Sequence, residues 1–146
     1  AEGTPRFGPR GLPHSVVWQS LLHLYGKGCY AIMEKAHQDI PWVPHAEIPP
    51  EPCGPGVQRR VLAYSKDAMC VENTFETGGV GAMHCHPHTQ ITYIVSGRYR
   101  FTIGDETREV GPGDTLLKQN GVMHGCVCLE GGVMLDFFTP MREDFV

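Results

Sequence analysis

From Val57 onward the chain is a succession of eight short β-rich segments, nearly all closed by Gly, Asp or Asn. That rhythm admits an antiparallel sandwich or barrel and little else. The segments are Val57–Ser65, Ala68–Thr77, Thr89–Ser96, Arg98–Ile103, Thr107–Val110, Thr115–Lys118, His124–Leu129 and Val133–Thr139. Gly97 after ITYIVS, and Gly131-Gly132 between VCLE and VMLDFF, suit tight connections. The 18 glycines and 12 prolines make up about a fifth of the 146 residues, which agrees with a turn-rich all-β protein and speaks against a helical bundle. The length suits one domain.

The first third reads differently. Nine of the twelve prolines precede Gly56, and six of those fall between Pro41 and Gly56. Proline fixes φ and removes a donor, so this stretch is expected to be neither helix nor interior strand. Ser15–Tyr25 places Val17, Trp18, Leu21, Leu22, Leu24 and Tyr25 at helical spacing, with Gly26 and Gly28 just beyond. The expected organisation is therefore an N-terminal extension over residues 1–56, a short helix and a Pro-rich arm, followed by a barrel over residues 57–146. The extension carries an apolar stripe and no ligand cluster, so it is expected to serve assembly.

Charge and hydropathy exclude several partners. Twelve Lys and Arg against sixteen Asp and Glu leave a net charge of −4, with no basic cluster for nucleic acid or an anionic membrane. The longest unbroken apolar run is about five residues, far short of the roughly 18 that a membrane span needs. The six cysteines contain no Cys-x-x-Cys and read as small, reduced side chains, Cys126 and Cys128 on one face of a strand. No signal peptide is recognisable, and a cytoplasmic location is expected.

The chemistry gathers in GGVGAMHCHPHTQITYIVSG, residues 78–97. On a single strand His84, His86 and Gln90 share a parity and face one way. Two such imidazoles lie about 7 Å apart and can close on one ion. His124 in NGVMHG is the candidate from elsewhere in the chain. Neutral imidazoles suit Zn, Cu, Fe or Ni. A lone His-x-His is equally at home as surface or core histidines, so the pair alone does not decide. His88 follows Pro87 and reads as a cavity-mouth or surface residue. In VMLDFFTPMREDFV, Asp136 interrupts an apolar strand and shares a face with Met134 and Phe138. A buried carboxylate needs a partner, a metal or a proton to carry. Its structural alternative is a bond to Arg98, Arg100 or a backbone amide. Arg142, just past Pro140, is placed either to fork onto a substrate carboxylate or to lie solvated in the tail.

The longer spacing resembles a known family. Gly78, five residues, His84-Cys85-His86, three residues, Gln90, six residues and Gly97 are similar to the first motif of the cupin superfamily, with Gln90 in place of Glu. Gly113, five residues, Gln119-Asn120-Gly121, two residues and His124 are similar to the second, with Gln119 in place of Pro and Cys128 where Asn is usual. The resemblance implies a small double-stranded β-helical barrel, often dimeric, with one divalent transition metal (Ni, Zn, Mn or Fe) inside it. Exchanging Glu for Gln leaves the ion's charge uncompensated and makes it a stronger Lewis acid.

RRVLAYSKDAMCVE, HCHPHTQITYIVSG, GVMHG and LDFFTPMREDFV together resemble the KdgF family of small cupins, associated with pectin and alginate breakdown. Ile40–Trp42 is similar to that family's short N-terminal strand. The resemblance implies metal ligation by His84, His86, Gln90 and His124, and catalytic or substrate-binding roles for Asp136, Phe138 and Arg142. It implies ring opening and ketonisation of 4,5-unsaturated uronate monosaccharides, a small anionic sugar as substrate, and a homodimer. The rival readings are an iron-dependent cupin dioxygenase and a non-catalytic sugar- or metal-binding module.

Overall fold

The structure, a computed structural model, describes residues 37–146. The helix expected over Ser15–Tyr25 lies outside the described residues. Ten strands follow one another: β1 (Glu51–Gly54), β2 (Val57–Tyr64), β3 (Met69–Phe75), β4 (Val80–His84), β5 (Thr89–Ile94), β6 (Arg98–Ile103), β7 (Glu106–Val110), β8 (Thr115–Lys118), β9 (His124–Glu130) and β10 (Gly132–Thr139). They form two antiparallel sheets, a six-stranded one in the order β1-β2-β3-β10-β5-β8 and a four-stranded one in the order β4-β9-β6-β7. This is the all-β sandwich that the strand rhythm anticipates.

Alternation within the strands decides which side chains enter the space between the sheets. In β5, Gln90, Thr92 and Ile94 are buried while Ile91 and Tyr93 are exposed. In β10, Met134, Asp136 and Phe138 are buried and Phe137 faces out. Ile94, Tyr99, Phe101, Cys126, Cys128 and Met134 belong to one core cluster. A second, made of Tyr64, Met69, Val71, Phe138 and Met141, fills the end nearer the C-terminus. Cys126 and Cys128 do lie on one buried face, as expected. The cysteines among the described residues are free.

Two of the corners that carry the chain from one sheet to the other lie between β5 and β6 and between β9 and β10. They press directly together. Gly97 has φ +86°, and a Cβ there would stand 2.5 Å from the Glu130 carbonyl oxygen. A Cβ on Gly132 would overlap the Ser96 carbonyl. Only glycine fits both positions.

Two strands escaped the sequence reading. β4 is short, mostly exposed and interrupted by Gly81, so it shows no apolar rhythm. β1 lies inside the Pro-rich stretch and pairs with β2 at the sheet edge, where a proline such as Pro52 is tolerated because the strand has a neighbour on one side only. Ile40–Trp42, by contrast, forms no strand, and Trp42 is exposed. The arm nevertheless follows the barrel: the Asp39 amide donates to the Tyr64 carbonyl, and Arg60 Nε donates to the Ile48 carbonyl, each at 2.9 Å. Beyond β10 a cis Thr139–Pro140 bond turns the chain, and Met141 and Arg142 are buried.

Candidate metal centre and cavity

The histidines meet by a different route from the one that strand parity suggests. β4 ends at His84 and β5 begins at Thr89, so His86 sits in the loop that links the two sheets. His84 is instead the cross-strand partner of His124, the first residue of β9. The ring centroids lie 4.3 Å apart for His84–His124, 5.0 Å for His86–His124 and 5.6 Å for His84–His86. One ligand atom from each lies within 4.8 Å of the others.

Hydrogen bonds fix which nitrogens are left over. His84 Nδ1–H donates to the Ala82 carbonyl at 2.8 Å, and His124 Nδ1–H to the Val122 carbonyl at 2.9 Å. Each ring is held by the carbonyl two residues back, leaving its Nε2 lone pair available, the arrangement typical of metal-ligating histidine. Nε2 of His124 is buried with no hydrogen-bond partner. Burial depresses this imidazole to about 4, with the neighbouring His84, Lys118 and His86 adding to the effect and the Val122 bond opposing it. Burial also lowers His86. Both are therefore neutral, as ligands must be.

Gln90 completes the set. Its Oε1 lies 2.9 Å from His86 Nε2. Two ligands about 2.1 Å from one ion and at right angles to each other stand about 3 Å apart, so this pair already has the edge of a coordination polyhedron. The donor set, three imidazoles and an amide oxygen, fits a divalent transition metal. His88 is half-buried and packs 5.3 Å from His86, outside the ligand triangle.

His84, Gln90 and His124 line a cavity of about 290 Å³, together with Asp136, Phe138 and Arg142. That is the small end of the range for small-molecule sites. The seven candidate site residues, His84, His86, Gln90, His124, Asp136, Phe138 and Arg142, thus lie in or beside one space. His86 is the one that stands behind the cavity lining, packed 5.6 Å from Phe138. Cys126 also lines the cavity, but burial pushes its thiol up to about 12, so it offers no thiolate at neutral pH.

Two partnerships differ from expectation. Asp136 does not pair with Arg98 or Arg100, which reach Glu109 on the barrel's outside. It accepts from Asn73 Nδ2 at 2.7 Å on one oxygen and from the Thr92 hydroxyl on the other. Arg142 is buried at the cavity, yet Nε and Nη2 both donate to Asp144, at 2.8 and 2.7 Å, so its fork is already engaged.

Other cavity residues went unnoticed in the sequence. Arg59 on β2 lines the cavity with its Nε buried and unpartnered, its guanidinium 3.7 Å over the Phe145 ring. Arg142 lies 4.3 Å from the same ring. Behind the wall, Lys118 is only 1% exposed and donates to the Thr92 hydroxyl. Burial lowers its ammonium, with Asp136 opposing. Strand alternation alone singles out none of these, because Arg59 reads as an ordinary exposed strand residue and Lys118 as a strand end.

A cupin-domain family model matches residues 71–138. The pectin degradation protein KdgF of Dickeya dadantii is 38% identical over 102 residues, covering 68% of this chain and 93% of that protein. The solved structure of KdgF from Halomonas sp. is 34% identical, with a TM-score of 0.69 over 72% of this chain and 97% of that one. A RmlC-like cupin from Shewanella frigidimarina is 32% identical, with a TM-score of 0.72 over 75% and 99%. Motifs, sandwich and sequence identity converge: this chain belongs to the KdgF family of cupins.

Proposed function

We propose that the protein opens and ketonises 4,5-unsaturated uronate monosaccharides of the kind that pectin or alginate lyases release, giving linear 4-deoxy-5-keto uronates. The similarity to a pectin degradation protein supports the pathway class. The observation that carries the reaction is a cluster of three histidines and Gln90 gathered at the same small cavity as a hydrogen-bonded carboxylate, Asp136.

His84, His86, Gln90 and His124 would hold a divalent metal, which when bound supplies Lewis acidity toward negative charge developing on a substrate oxygen. Asp136 takes the proton of the anomeric hydroxyl as the C1–O5 bond breaks, its electron pair passing to O5. The resulting C4=C5 enolate is protonated at C4, which leaves a ketone at C5. Atoms balance and no electrons are lost, so the change is an isomerisation. Arg59 and Arg142 give the cavity the positive charge that a uronate carboxylate needs, and Phe138 packs against the sugar ring. The proposal extends to a homodimer. It is supported by the exposed apolar stripe of Ile91, Tyr93, Leu117 and Phe137 on the outside of the six-stranded sheet.

The test is to follow the ultraviolet absorbance of the C4=C5 bond in an unsaturated monouronate, with metal-loaded protein and with protein stripped by chelation. Loss of absorbance is expected to accelerate with loaded protein and not with stripped, without oxygen uptake. An unaccelerated loss, or turnover that consumes oxygen, would refute the proposal and favour the dioxygenase reading.

A further inference from the structure

Lys118 is almost completely buried, and among the described residues no carboxylate pairs with it directly. Its ammonium lies 4.8 Å over the Phe101 ring and donates a hydrogen bond to Thr92 Oγ1. Thr92 is fully buried, and its hydroxyl donates to Asp136 Oδ1. A buried ammonium without compensation costs several kcal/mol, so its placement requires an account.

The direction of this chain is fixed by the groups themselves. A lysine ammonium only donates, so Thr92 Oγ1 must accept from it. The single Thr92 proton is then committed to Asp136. Asn73 Nδ2 donates to the other carboxylate oxygen at 2.7 Å. Asp136 thus receives a donor on each oxygen, and only its remaining lone pairs face the cavity. The residues sit on three adjacent strands, β8, β5 and β10, where Gln90 pairs with Lys118 and Thr92 with Asp136 in register. Side chains two residues apart on β5 therefore serve the metal ligand set, through Gln90, and the carboxylate, through Thr92.

We propose that Lys118 and Thr92 are positioning residues, a buried ammonium–hydroxyl relay that holds the Asp136 carboxylate in the one orientation from which it exchanges a proton with the sugar. This rests on the function proposed above. Without the relay Asp136 rotates and is left beside an uncompensated buried cation.

The test uses full-length, zinc-loaded protein with Thr92→Val, Thr92→Ser and Lys118→Met. Val keeps the shape of Thr and removes the hydroxyl, whereas Ser keeps the hydroxyl. Thr92→Val and Lys118→Met should lower kcat about 10- to 100-fold at nearly constant KM and full metal content, while Thr92→Ser stays within about threefold of wild type. The 13C resonance of the Asp136 carboxyl should shift in the first two variants and not in the third. A purely structural role would lower the melting temperature and leave kcat and the carboxyl resonance in place, which would overturn the inference. If Thr92→Val and Lys118→Met do not fold, the wild-type protein decides. Its Thr92 hydroxyl proton should exchange slowly and lie in hydrogen-bond contact with Asp136, and rapid exchange would overturn the inference. A wild type inactive on unsaturated uronates sinks the functional proposal, while the hydroxyl and carboxyl signals still decide the relay.

Discussion

Arg59→Gln separates the two guanidiniums at the cavity. Arg142 is the residue that the tail sequence offers for the substrate carboxylate, but its Nε and Nη2 already hold Asp144 at 2.8 and 2.7 Å. Arg59 has no such partner, and its buried Nε is unsatisfied. Arg59 is therefore the guanidinium with donors to spare, and binding a carboxylate there costs no existing ion pair. A hydrogen bond to a charged group contributes about 1.5–3 kcal/mol. At about 1.4 kcal/mol per decade, Arg59→Gln should raise KM for the unsaturated monouronate about 10- to 150-fold. The carboxylate is held in ground and transition states alike, so kcat should change little. Arg142→Gln should raise KM less, because Arg142 must first give up Asp144 to bind substrate. Arg59→Lys keeps the charge without the fork and should fall between wild type and Arg59→Gln. Initial rates from the C4=C5 absorbance, measured across substrate concentration for the three variants, decide it. An unchanged KM for Arg59→Gln beside a tenfold rise for Arg142→Gln would refute the reasoning and return the clamp to Arg142.

Asp136→Asn should bind metal and remain folded, because the Asn73 amide can turn to present its oxygen to the new side chain, yet turnover should fall about 10²–10⁴-fold. Wild-type turnover by that variant would show Asp136 to be structural and move the base elsewhere. Metal-free protein should lose stability as pH falls from 6.5 toward 4. His124 takes up a proton at 6.5 in the unfolded chain but only at about 4 when folded, so in that window the unfolded state binds more protons. Melting temperatures measured against pH should rise across the window and level off above it. An equal slope in His124→Gln would assign the effect to other groups.

The sandwich was legible from the chain because its strands are short, alternate cleanly and end on turn residues, as β5 and β10 show. β4 was not, since an exposed strand broken by glycine leaves no periodic trace, and without it the histidine pair was placed on one strand. His84, His86 and Gln90 were still singled out together, because the spacing from Gly78 to Gly97 records the whole strand–loop–strand path. The surroundings of the carboxylate were harder. Asp136 stood out by breaking an apolar run, while its partners Asn73 and Thr92 are ordinary polar residues in ordinary strands. Arg59 and Lys118 owe their roles to neighbours remote in the chain, Phe145 for the first and Thr92 and Phe101 for the second, and a linear pattern carries no record of them.

The two glycine corners give the sandwich a mechanical polarity. β5 runs from Gln90, beside the histidines, to the corner at Gly97, and β9 runs from His124 to the corner at Gly131. The sheets are thus stitched tightly along one end, like pages at a spine. At the other end they are joined by the Cys85–His88 loop and by ligands drawn from both sheets. An ion held there would act as a clasp on the fore-edge, setting how far the covers stand apart and so the gape of the cavity. Removing the ion would loosen the clasp and leave the binding whole. Selection on metal affinity and selection on cavity width would then act on the same four side chains.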